Sequence, residues 1–200
     1  MQSELWLRSL VWTDYRLAVL FTVTVPLVLL VWAFVRKAEA IQKLLVIYWR
    51  VASLLVITLY LMIAALPISF ISALLAQILI PLGLWFWADL NEEIREQPKS
   101  PLKFTLLAWR WAMTVYFALG AIAQVPFLSC AVTSQTSLLD RPFCRVWLEA
   151  PWGFKALFHA KTTPQFLGFL GIVGLVIYVL YLGHFVLYRL GKQGRSATIY

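Results

Sequence analysis

A run of 38 residues without a charged side chain, from Val51 to Ala88, constrains the fold of this chain more than any other feature. As one α-helix the run would be about 57 Å long, because each residue adds about 1.5 Å. The hydrocarbon core of a bilayer is only about 30 Å thick, which corresponds to about 20 helical residues. The run is therefore predicted to cross a membrane twice, and Pro67 near its centre, which interrupts helical hydrogen bonding, marks the turn.

Three further apolar runs predict three more spans, and Pro26 is expected to kink the first of them. The composition agrees with this prediction, because 62% of the residues are hydrophobic and 13% are charged, whereas soluble proteins are about a quarter charged. We therefore predict an all-α membrane protein, with residues 1–200 forming a single membrane domain built as a five-transmembrane-helix bundle with short interfacial helices. The predicted spans cover residues 17–35, 45–66, 69–88, 106–128 and 166–188.

The distribution of basic residues predicts the orientation of this bundle. Lysine and arginine are enriched in short loops on the cytoplasmic side of membrane proteins. With the N-terminus outside and the C-terminus inside, eleven of the 17 basic residues fall on inner segments, namely Arg36, Lys37, Lys43, Arg50, Arg95, Lys99, Lys103, Arg110, Arg189, Lys192 and Arg195. This N-out/C-in orientation places loop 89–105 inside and loop 129–165 outside, facing a lumen or periplasm. The N-terminal segment carries Glu4 and Asp14 and is not expected to be a removable signal peptide.

The chain has two cysteines, Cys130 and Cys144, and both fall in the predicted outer loop. Disulfides persist in oxidising compartments such as the periplasm, so the two residues are candidates for a bridge. Two unrelated thiols are the alternative, because a pair of cysteines is a weak pattern. No metal site is predicted, since two cysteines without nearby histidines cannot complete a tetrahedral zinc site.

Tryptophans occur where the chain is predicted to leave the membrane, and tryptophan is enriched at membrane interfaces. In the outer loop, the segment RVWLEAPWGFKALFHA (145–160) alternates aromatic and charged residues, which is typical either of a helix lying in the interface or of a lid packed over the bundle. The predicted interface anchors are Trp6, Trp12, Trp147 and Trp152 on the outer side and Trp85, Trp87, Trp109 and Trp111 on the inner side.

Two features of the last span have structural or functional interpretations. Gly168, Gly171 and Gly174 recur every three residues and predict a helix-packing face, more often against the bundle than against a partner. His184 is the only histidine within a predicted span, and a neutral imidazole can ligate haem iron or a chlorophyll magnesium. At interface depth it can equally bind water or a carbonyl. No cofactor is therefore predicted, and chlorophyll or haem at His184 is the open alternative.

The segment WFWADLNEEIREQ (85–97) contains four of the nine acidic residues of the chain. Asp89, Glu92, Glu93 and Glu96 follow the spacing i, i+3, i+4, i+7, so a helix continuing the third span would present them on one face. This acidic face is either a solvated surface, partly paired with nearby basic residues, or a docking surface for another membrane protein.

The usual signatures of catalysis are missing. The sequence contains no nucleophile elbow, no glycine-rich phosphate loop, no paired-histidine metal motif and no CxxC. Arg110 and Arg50, which lie within or beside spans, are expected to extend their side chains to the interface. The basic residues are scattered, so the net charge of +8 does not indicate nucleic-acid binding. We predict a non-enzymatic protein.

Several segments of the chain carry a resemblance to a known family. The segment LIPLGLWFWADLNEEI, the following PLKF and WRWA, and VWTDYRLAVLFTV near the N-terminus resemble a family of integral membrane proteins of cyanobacteria, a domain of unknown function. The resemblance implies a thylakoid or plasma membrane and transfers no catalytic residue. It leads us to expect an accessory protein that binds photosystem subunits or assembly factors in the bilayer, with photosystem II assembly favoured. A pigment- or haem-binding subunit and a small-solute transporter are the alternatives.

Overall fold

Residues 2–197 are described by a computed structural model, and this part of the chain contains helices and short turns but no strand. The elements that form the membrane spans are α1 (Gln2–Val19), α2 (Val25–Val35), α3 (Glu39–Ile63), α4 (Ile68–Trp85), α6 (Pro101–Gln124) and α9 (Pro164–His184). The remaining helices are α5 (Ala88–Glu96), α7 (Gln135–Asp140), α8 (Pro142–Phe158) and α10 (Leu190–Gln193). π-Helical turns follow α1 (Leu20–Thr24) and α9 (Phe185–Arg189), and a 3₁₀ helix follows α6 (Val125–Val132).

Within residues 2–197, five helical stretches are long and apolar enough to cross a membrane, which confirms the prediction of an all-helical, multi-pass membrane protein. They are Trp6–Val35, Glu39–Ile63, Ile68–Trp85, Pro101–Val132 and Pro164–Lys192. The first begins well before residue 17, where the uncharged run starts. A helix continues through charged residues when they find partners, and Asp14 accepts a 2.6 Å hydrogen bond from the hydroxyl of Tyr116. The length of an uncharged run therefore predicts the number of spans better than it predicts the residue at which each helix begins.

The first span contains a π-helical turn directly before Pro26. In an α-helix the carbonyl of Thr22 would accept from residue 26, but proline has no N–H. The N–H of Val25 donates to Leu20 rather than to Phe21, so the carbonyl of Phe21 also loses its usual donor. Two side chains of other helices replace these donors. The Tyr48 hydroxyl donates to the Thr22 oxygen at 2.7 Å, and the indole of Trp109 donates to the Phe21 oxygen at 2.9 Å.

Helix α3 lies at the centre of the bundle and packs against α2, α4, α8 and α9. Its hairpin with α4 turns at residues 64–67, where Ala65 adopts a φ of 53° and Pro67 precedes the first residue of α4. Across this hairpin the buried hydroxyls of Thr58 and Ser72 bond to each other at 2.5 Å, so neither is left unpaired in an apolar setting. The outward faces of the spans remain apolar, as lipid contact requires.

The glycines of α9 lie against α3. A β-carbon at Gly168 would overlap the methyl carbon of Ala64, one at Gly171 would lie 3.0 Å from Leu61, and one at Gly174 would lie 3.1 Å from Ile57. The three contacts follow one face of α3 turn by turn. Because glycine has no side chain, the two backbones approach closely along this face.

At the end of the bundle where α3 turns into α4, α7 and α8 form a cap. Cys130 and Cys144 are joined by a disulfide, with their Cα atoms 5.8 Å apart. Helix α8 also contacts α1 and α3: Glu149 accepts from Arg8 at 2.6 Å, and the Trp152 indole donates to the carbonyl of Ile63 at 3.2 Å. These contacts favour the lid interpretation of segment 145–160.

Candidate functional site

Residues 86–87 separate α4 from α5, and this junction is organised around a buried arginine on α6, Arg110. Only 2% of Arg110 is exposed. One of its terminal nitrogens donates to the carbonyl of Leu84 at 2.5 Å and to the side-chain oxygen of Asn91 at 2.6 Å. Its guanidinium lies 4.0 Å from the centre of the Trp85 ring, a cation–π geometry. Among the described residues it forms no ion pair, so neutral oxygens and an aromatic ring stabilise this charge.

The helix ends explain why an arginine suits this position. The last carbonyls of α4 have no donor within the helix, and a cation at a helix C-terminus is favoured by the helix dipole. Arg110 supplies both a donor and a charge there. Asn91 donates to the carbonyl of Trp85 at 3.0 Å, and the Trp85 indole donates to Thr114 at 2.8 Å. The expectation that Arg110 extends to the interface is wrong, because these buried acceptors hold it inside.

The C-terminal segment also returns to this junction. Arg195 donates to the carbonyl of Phe86 at 2.7 Å, and its own carbonyl accepts from the N–H of Ala88 at 3.0 Å. The Asp89 carboxylate accepts from the Ser196 hydroxyl at 3.0 Å and from the N–H of Ala197 at 2.8 Å. Our assignment of Asp89 to an open partner-binding face is therefore corrected, since the protein's own C-terminal segment occupies this carboxylate.

The other three predicted acidic residues, Glu92, Glu93 and Glu96, are exposed. Leu90 and Ile94 on the opposite face of α5 are buried, so the helix is fixed to the bundle by its apolar side. Glu92 lies 3.6 Å from Arg95, an exposed pair that contributes little to stability. Among the described residues, neither Glu93 nor Glu96 forms an ion pair. The basic residue Lys103 instead donates to the backbone carbonyls of Arg95 and Gln97.

The predicted tryptophan anchors separate into two groups. Trp6 and Trp111 are exposed, at 68% and 60%, as an interface anchor would be. Trp109 is buried, and it packs edge-on against Tyr48 with 5.0 Å between ring centres. Its anchor role is corrected to a core role, because its indole is needed at the π-helical turn of the first span. Trp87 is also buried, so its ring packs inside the protein and does not contact lipid as an exposed anchor would. The remaining anchors, Trp12, Trp85, Trp147 and Trp152, are half-buried.

The two histidines lie at opposite ends of the bundle. His184 is exposed and stacks against Tyr188, with 5.5 Å between ring centres. His159 lies beside the cap, where a ring nitrogen is 3.3 Å from the hydroxyl of Tyr60. Within residues 2–197, no three side chains among His, Cys, Asp and Glu form a group that could hold a metal ion. Ligation of a pigment or haem by His184 stays an open alternative.

Sequence patterns had not indicated the Arg110 junction or the docked C-terminal segment. Arg110 and Asn91 are 19 positions apart, and Asp89 and Ala197 are 108 apart. Helical periodicity relates residues only a few positions apart, so it carries no information on such pairs. The one available signal was a charged residue inside an apolar run, which indicates either an interface position or a buried partner.

Comparison with known proteins assigns the chain to a family. A family model described as a protein of unknown function (DUF3177) matches residues 8–198, a range that includes both the WFWADLN and the WRWA segments. No curated protein and no solved structure matches the chain. Because the matched range covers nearly the whole sequence, the chain belongs to the DUF3177 family of proteins of unknown function.

Proposed function

We propose that this protein is a non-enzymatic membrane accessory protein that binds other integral membrane proteins through the exposed glutamates of α5. The observation that carries the proposal is the arrangement of this helix. Buried Leu90 and Ile94 and the engaged Asp89 hold it against the bundle, while Glu92, Glu93 and Glu96 point away. A helix held in this way displays carboxylates at fixed positions, which reduces the entropy lost when a partner binds.

The charge of this face favours a particular kind of partner. The chain as a whole has a net charge of +8, so three neighbouring carboxylates stand out from a basic background and attract cationic segments. Other membrane proteins concentrate lysine and arginine in their cytoplasmic loops. A basic loop of another integral membrane protein, lying at the same depth, is therefore the partner that this face fits.

The family resemblance supports a cellular setting for this binding. Its likeness to cyanobacterial proteins favours a thylakoid or plasma membrane and, as partners, photosystem subunits or their assembly factors. Small multi-span proteins in such membranes often act in the assembly of photosynthetic complexes, and we propose photosystem II as the complex concerned.

The proposal includes the N-out/C-in orientation, which puts α5 in the cytoplasm. The distribution of basic residues supports it, and so does the disulfide, which lies at the end predicted to face an oxidising compartment. A reporter enzyme that is active only in the cytoplasm, fused to the C-terminus, is expected to be active. A reporter active only in the periplasm should be silent at that position, and the reverse pair of results would refute the orientation.

Partner binding is tested by reversing the charge of the acidic face. We expect Glu93→Lys to weaken recovery of photosystem subunits with the protein from mild detergent about tenfold, because one attraction becomes a repulsion at a binding surface. The triple replacement of Glu92, Glu93 and Glu96 by Lys should abolish recovery. The measurement is the molar ratio of co-purified subunits, determined by quantitative mass spectrometry.

The matched control is Glu39→Lys, which reverses an exposed glutamate at the start of α3, at the same end of the bundle. Equal losses for Glu39→Lys and Glu93→Lys would contradict a specific role for α5. Recovery of the wild-type protein without partners, together with normal complex assembly in a deletion strain, would contradict the proposed function itself.

A further inference from the structure

A groove of about 300 Å³ lies between α3, α4 and α9, at the end of the bundle where α5 begins. Most of its wall is aliphatic or aromatic, as at Leu79, Leu82, Leu182 and Phe185. These residues belong to apolar spans, so the groove can admit a hydrocarbon chain from the surrounding lipid. Its composition excludes a polar solute as the main occupant.

Two arginines interrupt this apolar wall. Arg50 comes from α3 and Arg189 from the π-helical turn after α9, and both line the groove. Arg50 is exposed and, among the described residues, forms no ion pair with a carboxylate. A cation beside an apolar groove at the end of a membrane span matches an amphiphile with a negative headgroup. A headgroup of zero net charge would gain less from the Arg50 cation.

Trp87 also lines the groove and is only 7% exposed. Its indole nitrogen is shielded from the groove, so Trp87 contributes an aromatic wall and not a hydrogen-bond donor.

We propose that this groove binds a bilayer lipid with an anionic headgroup. Its acyl chain lies along the apolar wall formed by α4 and α9, and its headgroup oxygens accept from the guanidinium of Arg50. The contact with Arg50 determines selectivity, while the apolar wall provides the affinity that a free anion lacks. This site is separate from the acidic face of α5 and does not depend on the proposed function.

The test is lipid binding to the full-length protein in detergent, measured by native mass spectrometry. Phosphatidylglycerol is compared with phosphatidylcholine carrying the same acyl chains, and the wild-type protein is expected to bind phosphatidylglycerol more tightly. Arg50→Gln should weaken phosphatidylglycerol binding about fivefold, the usual effect of one basic residue on an anionic lipid. Arg50→Lys should restore most of it.

The matched control is Arg36→Gln, because Arg36 is exposed at the same end of the bundle but lies outside the groove. Equal wild-type affinities for the two lipids would overturn the proposal, as would equal losses for Arg50→Gln and Arg36→Gln. Inorganic phosphate at millimolar concentration should not displace the lipid, and displacement would show an anion site in which the apolar wall has no role.

Discussion

Replacement of Arg110 by methionine is expected to lower the free energy of unfolding by about 4 kcal/mol. The substitution removes two hydrogen bonds from a charged donor, each contributing about 1.5–3 kcal/mol, and a desolvated cation–π contact of about 2 kcal/mol. Part of this loss is offset, because the methionine variant no longer has to bury a charge on folding. It also leaves the carbonyl of Leu84 and the side-chain oxygen of Asn91 without their donor. The break between α4 and α5 should loosen as a result.

Denaturant titration of the purified protein in detergent, followed by tryptophan fluorescence, measures this loss. The control is Arg36→Met, an exposed site where the change should be within about 0.5 kcal/mol. Arg110→Lys should give an intermediate loss, because lysine keeps the charge but cannot stack a planar group on Trp85. If Arg110→Met proved as stable as the control, the arginine would be retained for a reason other than stability, as some buried charges are.

Replacement of Gly168 by alanine is expected to cost about 2 kcal/mol, within the usual range for overpacking a close contact. The added methyl group would overlap the methyl carbon of Ala64, which is attached directly to the backbone at the end of α3 and cannot rotate away. The two helices must therefore separate locally, and the contacts of Gly171 with Leu61 would be weakened as well.

Gly183→Ala is the matched control on the same helix, because a β-carbon there meets no atom within 4 Å. That variant should be as stable as the wild type or slightly more stable, since alanine favours the helix. Thermal unfolding in one detergent compares the two. Equal stabilities of Gly168→Ala and Gly183→Ala would show that α3 and α9 are not packed as closely as the structure indicates.

The acidic face of α5 shows how far a periodic pattern can predict a site. The spacing of Asp89, Glu92, Glu93 and Glu96 correctly indicated a helix, because the pattern depends only on the local rotation of the backbone. The expectation that this helix continues the third span was wrong, because the chain breaks at residues 86–87 between α4 and α5. The spacing did not show that Ser196 and Ala197 bind Asp89, because these residues come from the far end of the chain. The same holds for Trp109, whose aromatic character was equally consistent with an interface position and with a buried donor to Phe21.

The number of spans and the turn near Pro67 were determined by the sequence itself. Transfer into a membrane depends on the summed hydrophobicity of one continuous run, and a break depends on a single proline, so both can be read locally. The tertiary structure alone decided which polar atoms meet: Arg110 with Leu84 and Asn91, and Tyr48 with the carbonyl released beside Pro26. The reason is that a buried polar atom needs a partner, and its identity depends on which distant helices pack side by side.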